Sequence, residues 1–295
     1  MPLITPPALR PGDRIAVVAP SSPFDRLRYD RGLAWLSARY AVTTRDDLFT
    51  RAGYLAGDDA RRRDELSAAV ADPTVKAVVA ARGGYGATRF AHTLDWAAFA
   101  RAPKWLVGFS DVTALHVEAT RAGVRSLHGA MVCSLGDADE EARGLWRAAI
   151  EGEALTPWTD LQPWSRGTAK GPAFGGNLAL LEASAASGRL VVPEGAILFV
   201  EDTTERPYRV DRMLTSLLVG GHLARVAAVV VGGFTDCNPG PDGVTVEGVL
   251  RERLLGLGVP VVAGAPFGHG DDNRPWIVGA PCTVESGDTA RVALG

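Results

Sequence analysis

Short apolar runs along the chain alternate with stretches whose apolar residues recur every three or four positions. Residues 13–19 form one continuous run, read as a buried strand and ended by Pro20-Ser21-Ser22-Pro23. Leu27, Leu33, Trp35 and Leu36 then mark a helix within 25–39, and Val42 to Arg45 a short second strand. Residues 58–71 predict a charged amphipathic helix closed by Asp72-Pro73. A third strand at 75–81 runs into Arg82-Gly83-Gly84-Tyr85-Gly86. The run Trp105 to Phe109 predicts a fourth strand. Behind it Val112, Leu115 and Ala119 stand at helical spacing up to Gly123, and Arg125 to Met131 predicts another strand.

Strands alternating with helices predict an α/β fold. Its parallel sheet is covered on both faces, and the loops at the strands' C-terminal ends form the site. The pattern fades over 152–172, where Pro157, Trp158, Pro163, Trp164, Gly167, Gly171 and Pro172 show little periodicity. This predicts an N-terminal α/β domain over 1–151, a linker over 152–170 and a C-terminal domain over 171–295. In the second half, Gly175-Gly176-Asn177 opens a helix through Ala186, and 195–202 is a strand ending on Glu201-Asp202. Helices around 210–219 and 244–255 alternate with strands at 226–231 and 259–263. Short runs at 276–278, 282–284 and 291–294 suggest a small β layer in the C-terminal α/β domain.

Composition narrows the class. The 295 residues are 46% hydrophobic, enough for a sizeable core, and the formal net charge of −3 gives no reason to expect a nucleic-acid partner. Basic residues are nearly all arginine, with lysine only at 76, 104 and 170. Arg61-Arg62-Arg63 lies among acids and reads as a solvated helix face. Cys133, Cys237 and Cys282 are an odd, scattered set, which argues against a disulfide framework or a zinc site and fits a reducing compartment. No run approaches the length of a membrane span, and the N-terminus lacks a signal-peptide pattern, so a soluble protein with no membrane partner is expected.

The candidate chemistry centres on Ser110, at the turn between the fourth strand and its helix. A serine at such a turn stands proud of the sheet, where neighbouring N–H groups face the same spot. The usual G-x-S-x-G spelling is broken here, since the turn reads Gly108-Phe109-Ser110-Asp111-Val112. Ser110 either attacks a substrate or only caps its helix, and the turn alone leaves both open. A nucleophilic serine needs a base within hydrogen-bond reach. His116 lies on the wrong face of the serine helix and reads as a helix-surface residue, while His92 and His222 sit in helix-like surroundings. His128, near a strand end, stays a candidate. His269 lies in the long glycine-flanked loop after the strand ending at Ala263, as either a base or a solvated polar residue.

A base of this kind needs a carboxylate to fix its tautomer. Glu201 has the longer reach of the two strand-end acids, while Asp202 with Thr203-Thr204 suits a cap on the following helix. The glycine loop 83–86 makes a poor dinucleotide motif, because Arg89 stands where a third glycine is needed. It makes a good oxyanion loop. There is no P-loop, no H-E-x-x-H and no clustered metal-ligand set, so neither cofactor nor metal is expected.

Together these segments resemble the LD-carboxypeptidase family of serine peptidases, which includes the muramoyltetrapeptide carboxypeptidases and the microcin-immunity peptidases. The matching pieces are Val17 to Ser22, Ala81 to Gly86, Gly108-Phe109-Ser110-Asp111, Gly171 to Leu178, Glu201-Asp202 with Pro207 to Leu214, and Phe267-Gly268-His269. The resemblance implies a catalytic Ser110–His269–Glu201 triad, with the backbone N–H groups of Asp111 and Gly84 as oxyanion hole. It implies cleavage of the L,D-amide bond to a C-terminal D-alanine of a murein tetrapeptide, in the cytoplasm, by a metal-free homodimer. The chain departs from the family pattern in its richness in arginine and in Trp276 after Pro275. A related amidase acting on a peptide-nucleotide antibiotic, and a non-catalytic α/β binding module, are the alternatives.

Overall fold

The computed structural model describes residues 3–295. The chain divides into two compact units. The first runs to Ala154 and takes back Arg274–Ile277, and the second comprises Leu155–Asn273 with Val278–Gly295.

In the first unit, strands β1 (Arg14–Val18), β2 (Ala41–Thr43), β3 (Val75–Ala80), β4 (Trp105–Gly108) and β5 (Ser126–His128) alternate with helices. These are α1 (Arg26–Ser37), α2 (Asp59–Ala71), α3 (Trp96–Arg101) and α4 (Thr113–Arg121), followed by α5 (Val132–Asp137) and α6 (Glu140–Ile150). The strands pair in parallel in the order β5-β4-β3-β1-β2. β4 and nearly all of β1 and β3 are buried, as the unbroken apolar runs require of strands covered on both faces. Asp25, Asp58, Asp95 and Asp139 cap α1, α2, α3 and α6, each accepting a backbone N–H from the helix's first turn. β1, β3 and β4 are neighbours pointing the same way, so loops 19–25, 81–87 and 109–112 leave one end of the sheet together.

The arginine run 61–63 departs from its expected solvated face. Arg62 is wholly buried, donates to the Pro20 carbonyl at 2.6 Å and lies over the Phe90 ring, while Arg61 pairs with buried Glu65 at 3.0 Å. Only Arg63 meets the expectation.

The second unit is a closed barrel with helices. Its strands are β6 (Trp158–Ser165), β7 (Gly167–Asn177), β8 (Ile197–Thr203), β9 (Ala228–Thr235) and β10 (Val261–Ala263), and later β12 (Pro281–Ser286) and β13 (Ala290–Leu294). They close in the order β10-β6-β13-β12-β7-β8-β9. Helices α7 (Leu178–Ala186), α8 (Pro207–Val219) and α9 (Val246–Leu255) connect the parallel run from β7 to β10. Between β10 and β12 the chain returns to the first unit, where β11 (Trp276–Val278) lies beside β5.

The predicted linker over 152–170 is corrected by these strands. β6 and β7 occupy most of it, and both are barrel members. The predicted β layer at the tail supplies β12 and β13, which pair with β7 and β6 and so complete the barrel, removing the free edges an open layer would have. Gly175 illustrates the tight pairing of β7 with β8: a Cβ there would stand 1.9 Å from the Phe199 carbonyl oxygen.

Candidate active site

In the first unit, the candidate group is the turn after β4. Ser110 has φ +61, in the left-handed region that costs a non-glycine residue about 1–3 kcal/mol. It opens a single 3-10 turn, Ser110–Val112, which leads into α4. The residues at the N-cap positions of these two elements, Phe109 and Val112, make no side-chain cap. The sharp turn needs Gly108, since a Cβ there would lie 2.7 Å from Val112. Gly83 faces the serine closely, and a Cβ on it would stand 3.0 Å from Ser110 Cβ and 3.2 Å from Oγ.

The glycine loop is held from below. Ser22 N–H donates to the Gly83 carbonyl at 3.2 Å, and Ser22 Oγ accepts the Tyr85 N–H at 3.1 Å. Gly84 has φ +109, and a Cβ on it would collide with Ser22 Oγ at 2.5 Å. Asp111, fully buried, accepts the Ser21 hydroxyl at 2.6 Å and the Ala87 N–H at 2.8 Å. Burial pushes its carboxyl above the usual range, against the pull of those hydrogen bonds. The sequence brought Ser110, Asp111 and Gly84 forward, but not Ser21 or the Asp111 side chain. The Pro20-Ser21-Ser22-Pro23 turn was their only signal.

In the second unit, the candidate group lies near the end of β8 and in the loop after β10. Glu201, wholly buried, holds His269 Nδ1 through Oε2 at 2.6 Å. Burial alone would lower the imidazole pKa. The Glu201 hydrogen bond and charge, with the charge of Asp202 behind them, outweigh burial and raise it above the ordinary histidine value. Asp202 turns away from the histidine and accepts from Asn177 Nδ2 and from the N–H groups of Ala179 and Thr203. It therefore caps α7, the preceding helix in sequence, and not the following helix as expected. Burial pushes its carboxyl up to about 6.

Gly268 fixes how the histidine meets its acid. Its φ is +119, its N–H donates to Asn273 Oδ1 at 3.0 Å, and a Cβ on it would stand 3.0 Å from both Cβ and Oε2 of Glu201. Gly268→Ala is expected to displace the pair and lower kcat by about 10²-fold, the usual cost of misplacing reacting groups by an ångström. Wild-type kcat in a folded Gly268→Ala protein would contradict this geometry.

The other histidines separate clearly. His116 is buried, with Nδ1 at 2.8 Å from Ser126 Oγ and Nε2 at 2.9 Å from the Gly108 carbonyl, which corrects its expected place on a helix surface. Desolvation lowers its pKa to about 4, so it stays neutral and ties α4 to the ends of β4 and β5. His128 is buried on β5 and stacked on Trp276 at 5.0 Å, which makes both residues part of the sheet's packing. That placement gives Trp276, the departure noted in the sequence, a packing role.

Among the described residues, no group of three or more His, Cys, Asp or Glu is placed to hold a metal ion, and the three cysteines are free. Hydrolysis is therefore expected to survive EDTA and dithiothreitol. Activity lost on chelation and restored by zinc would contradict that expectation.

A serine at a positive-φ strand–helix turn in one unit, and a buried glutamate orienting a histidine in the other, are the parts a serine peptidase needs. Residues 15–129 match the LD-carboxypeptidase N-terminal domain and residues 170–284 the LD-carboxypeptidase C-terminal domain, and the chain belongs to this family of peptidases. It is 32% identical to the murein tetrapeptide carboxypeptidase of Pseudomonas aeruginosa, over 79% of this chain and 80% of that one. A crystal structure of muramoyltetrapeptide carboxypeptidase from Oxalobacter formigenes superposes with a TM-score of 0.85 at 31% identity, covering 96% of this chain and 98% of that one. The microcin C7 self-immunity protein in complex with aspartyl sulfamoyl adenosine shares the fold, with a TM-score of 0.88 at 20% identity over 99% and 98% of the two chains. No helix among the described residues is long and apolar enough to cross a membrane.

Proposed function

We propose that this chain is a serine carboxypeptidase that hydrolyses the L,D-amide bond to the C-terminal D-alanine of a murein tetrapeptide. The Glu201–His269 pair carries the reading, because a wholly buried carboxylate on Nδ1 leaves Nε2 as the basic nitrogen. Ser110 Oγ attacks the scissile carbonyl while His269 Nε2 takes its proton. The N–H groups of Asp111 and Gly84 receive the developing oxyanion. Collapse expels D-alanine, whose amine takes the proton from His269, and leaves the peptide esterified to Ser110. A water deprotonated by His269 then hydrolyses that ester and restores the serine. Three unpaired cysteines suit the reducing cytoplasm, where such a peptide would be recycled.

The substrate class rests on the murein-peptide carboxypeptidases to which the chain is similar over most of its length. The test offers the purified protein L-alanyl-γ-D-glutamyl-meso-diaminopimelyl-D-alanine and, separately, aspartyl sulfamoyl adenosine. Release of D-alanine from the first, with the second left intact, is expected. Cleavage of the sulfamoyl nucleoside alone would assign the site to a peptide-nucleotide substrate, and cleavage of neither would favour a binding module.

A further inference from the structure

One buried acid lies next to the proposed nucleophile without a step of its own in the reaction. We propose that the Asp111 carboxylate is a positioning residue, clamping the glycine loop 82–87 to the serine turn so that the Gly84 N–H stays where the oxyanion forms. This rests on Ser110 being the nucleophile.

Three loops leave adjacent strands at this end of the sheet, and Asp111 joins all of them. It stands on the β4 loop, accepts the Ser21 hydroxyl from the β1 loop at 2.6 Å, and accepts the Ala87 N–H from the β3 loop at 2.8 Å. Both bonds go to the same oxygen, Oδ2, and the whole residue is shielded from water. Ser22, beside Ser21, holds Gly83 and Tyr85 through the two bonds described above. The loop is thus fastened at 83, 85 and 87, on either side of Gly84. Beneath it, the buried Arg62 guanidinium reaches the Pro20 carbonyl at 2.6 Å, and a Cβ on Gly86 would strike it at 2.2 Å.

A loop with glycines at 83, 84 and 86 has few side chains to pack it into one shape, and each glycine would otherwise keep wide backbone freedom. Hydrogen bonds must supply the order that packing does not. A buried carboxylate is an expensive way to do so, since desolvation opposes its charge against the pull of its hydrogen bonds. The backbone N–H of Asp111 is itself the second proposed oxyanion donor. One residue therefore supplies one donor and sets the distance to the other.

The test measures kcat and KM on the murein tetrapeptide for full-length Asp111→Ala, Asp111→Asn and Ser21→Ala. It also measures affinity for a peptide boronic acid, which forms a tetrahedral adduct, and for the tripeptide product. Asp111→Ala is expected to lower kcat about 10²-fold and boronate affinity by a similar factor, with KM and product affinity within about threefold of wild type. Asp111→Asn keeps an oxygen for both bonds and should recover about tenfold or more of the kcat loss; Ser21→Ala, which cuts one bond, should fall between.

A folded Asp111→Ala protein with wild-type kcat and boronate affinity would overturn the clamp. So would equal losses of boronate and product affinity, which mark general disruption. If Asp111→Ala does not fold, Ser21→Ala decides by the same two readouts. Ser110→Ala separates this inference from its foundation: hydrolysis surviving there removes the nucleophile, whereas its loss beside a wild-type-like Asp111→Ala removes only the clamp.

Discussion

Ser110→Ala should abolish hydrolysis of the murein tetrapeptide, lowering kcat by about 10⁶-fold, as loss of a nucleophilic serine does in a comparable triad. The fold should be unaffected. Ser110 adopts φ +61, and alanine there bears the same backbone cost with a smaller side chain. Tetrapeptide binding should also persist, because the substitution removes one oxygen and adds no bulk. Thermal unfolding should stay cooperative with a similar midpoint. A variant that hydrolyses within tenfold of wild type would show that the strained serine serves some other purpose.

Glu201→Gln should lower kcat by about 10⁴-fold while the protein stays folded, since the amide neither stabilises the imidazolium nor enforces its tautomer. The pH profile adds a sign. His269 must be neutral to accept the serine proton, and Glu201 raises its pKa above the ordinary value near 6.5. The wild-type acid limb of kcat/KM therefore lies above that pH, with activity growing as pH rises through it. With glutamine the larger raising influence is gone and only the Asp202 charge is left to oppose burial, so the residual activity should have its acid limb at lower pH. An unmoved limb would assign it to another group. If Asp202→Asn proved crippling and Glu201→Gln mild, the acid would be Asp202, although that carboxylate caps α7.

The first unit's sheet was legible because its strands are buried on both faces and so read as unbroken apolar runs, as at 75–80 and 105–108. β6 was not legible. It buries Trp158 and Leu161, three residues apart, and leaves the residues around them largely exposed, so no two-residue alternation appears. Its Pro163 therefore looked like that of a linker. His116 was misread for a related reason. All of residues 113–120 on α4 are buried, so the helix has no polar face against which to place a histidine.

The choice between Glu201 and Asp202 rested on reach, and burial does not separate them. Hydrogen bonds do: one acid takes His269, the other α7. His269 itself stood out through its glycine-flanked loop, whose Gly268 lies against Glu201. Ser21 and the Asp111 carboxylate belong to contacts spanning 90 and 24 residues, which no local pattern records.

The central claim is that Ser110 is a nucleophile activated for acyl transfer, and covalent labelling tests it most directly. The purified protein is treated with a fluorophosphonate, with and without murein tetrapeptide, and digested for peptide mass spectrometry while D-alanine release is followed in parallel. The account predicts one adduct per chain, on Ser110, formed in proportion to lost activity, slowed by tetrapeptide and absent from Ser110→Ala. An adduct on another residue that tracks the loss of activity, or full D-alanine release from a protein labelled at Ser110, would contradict it.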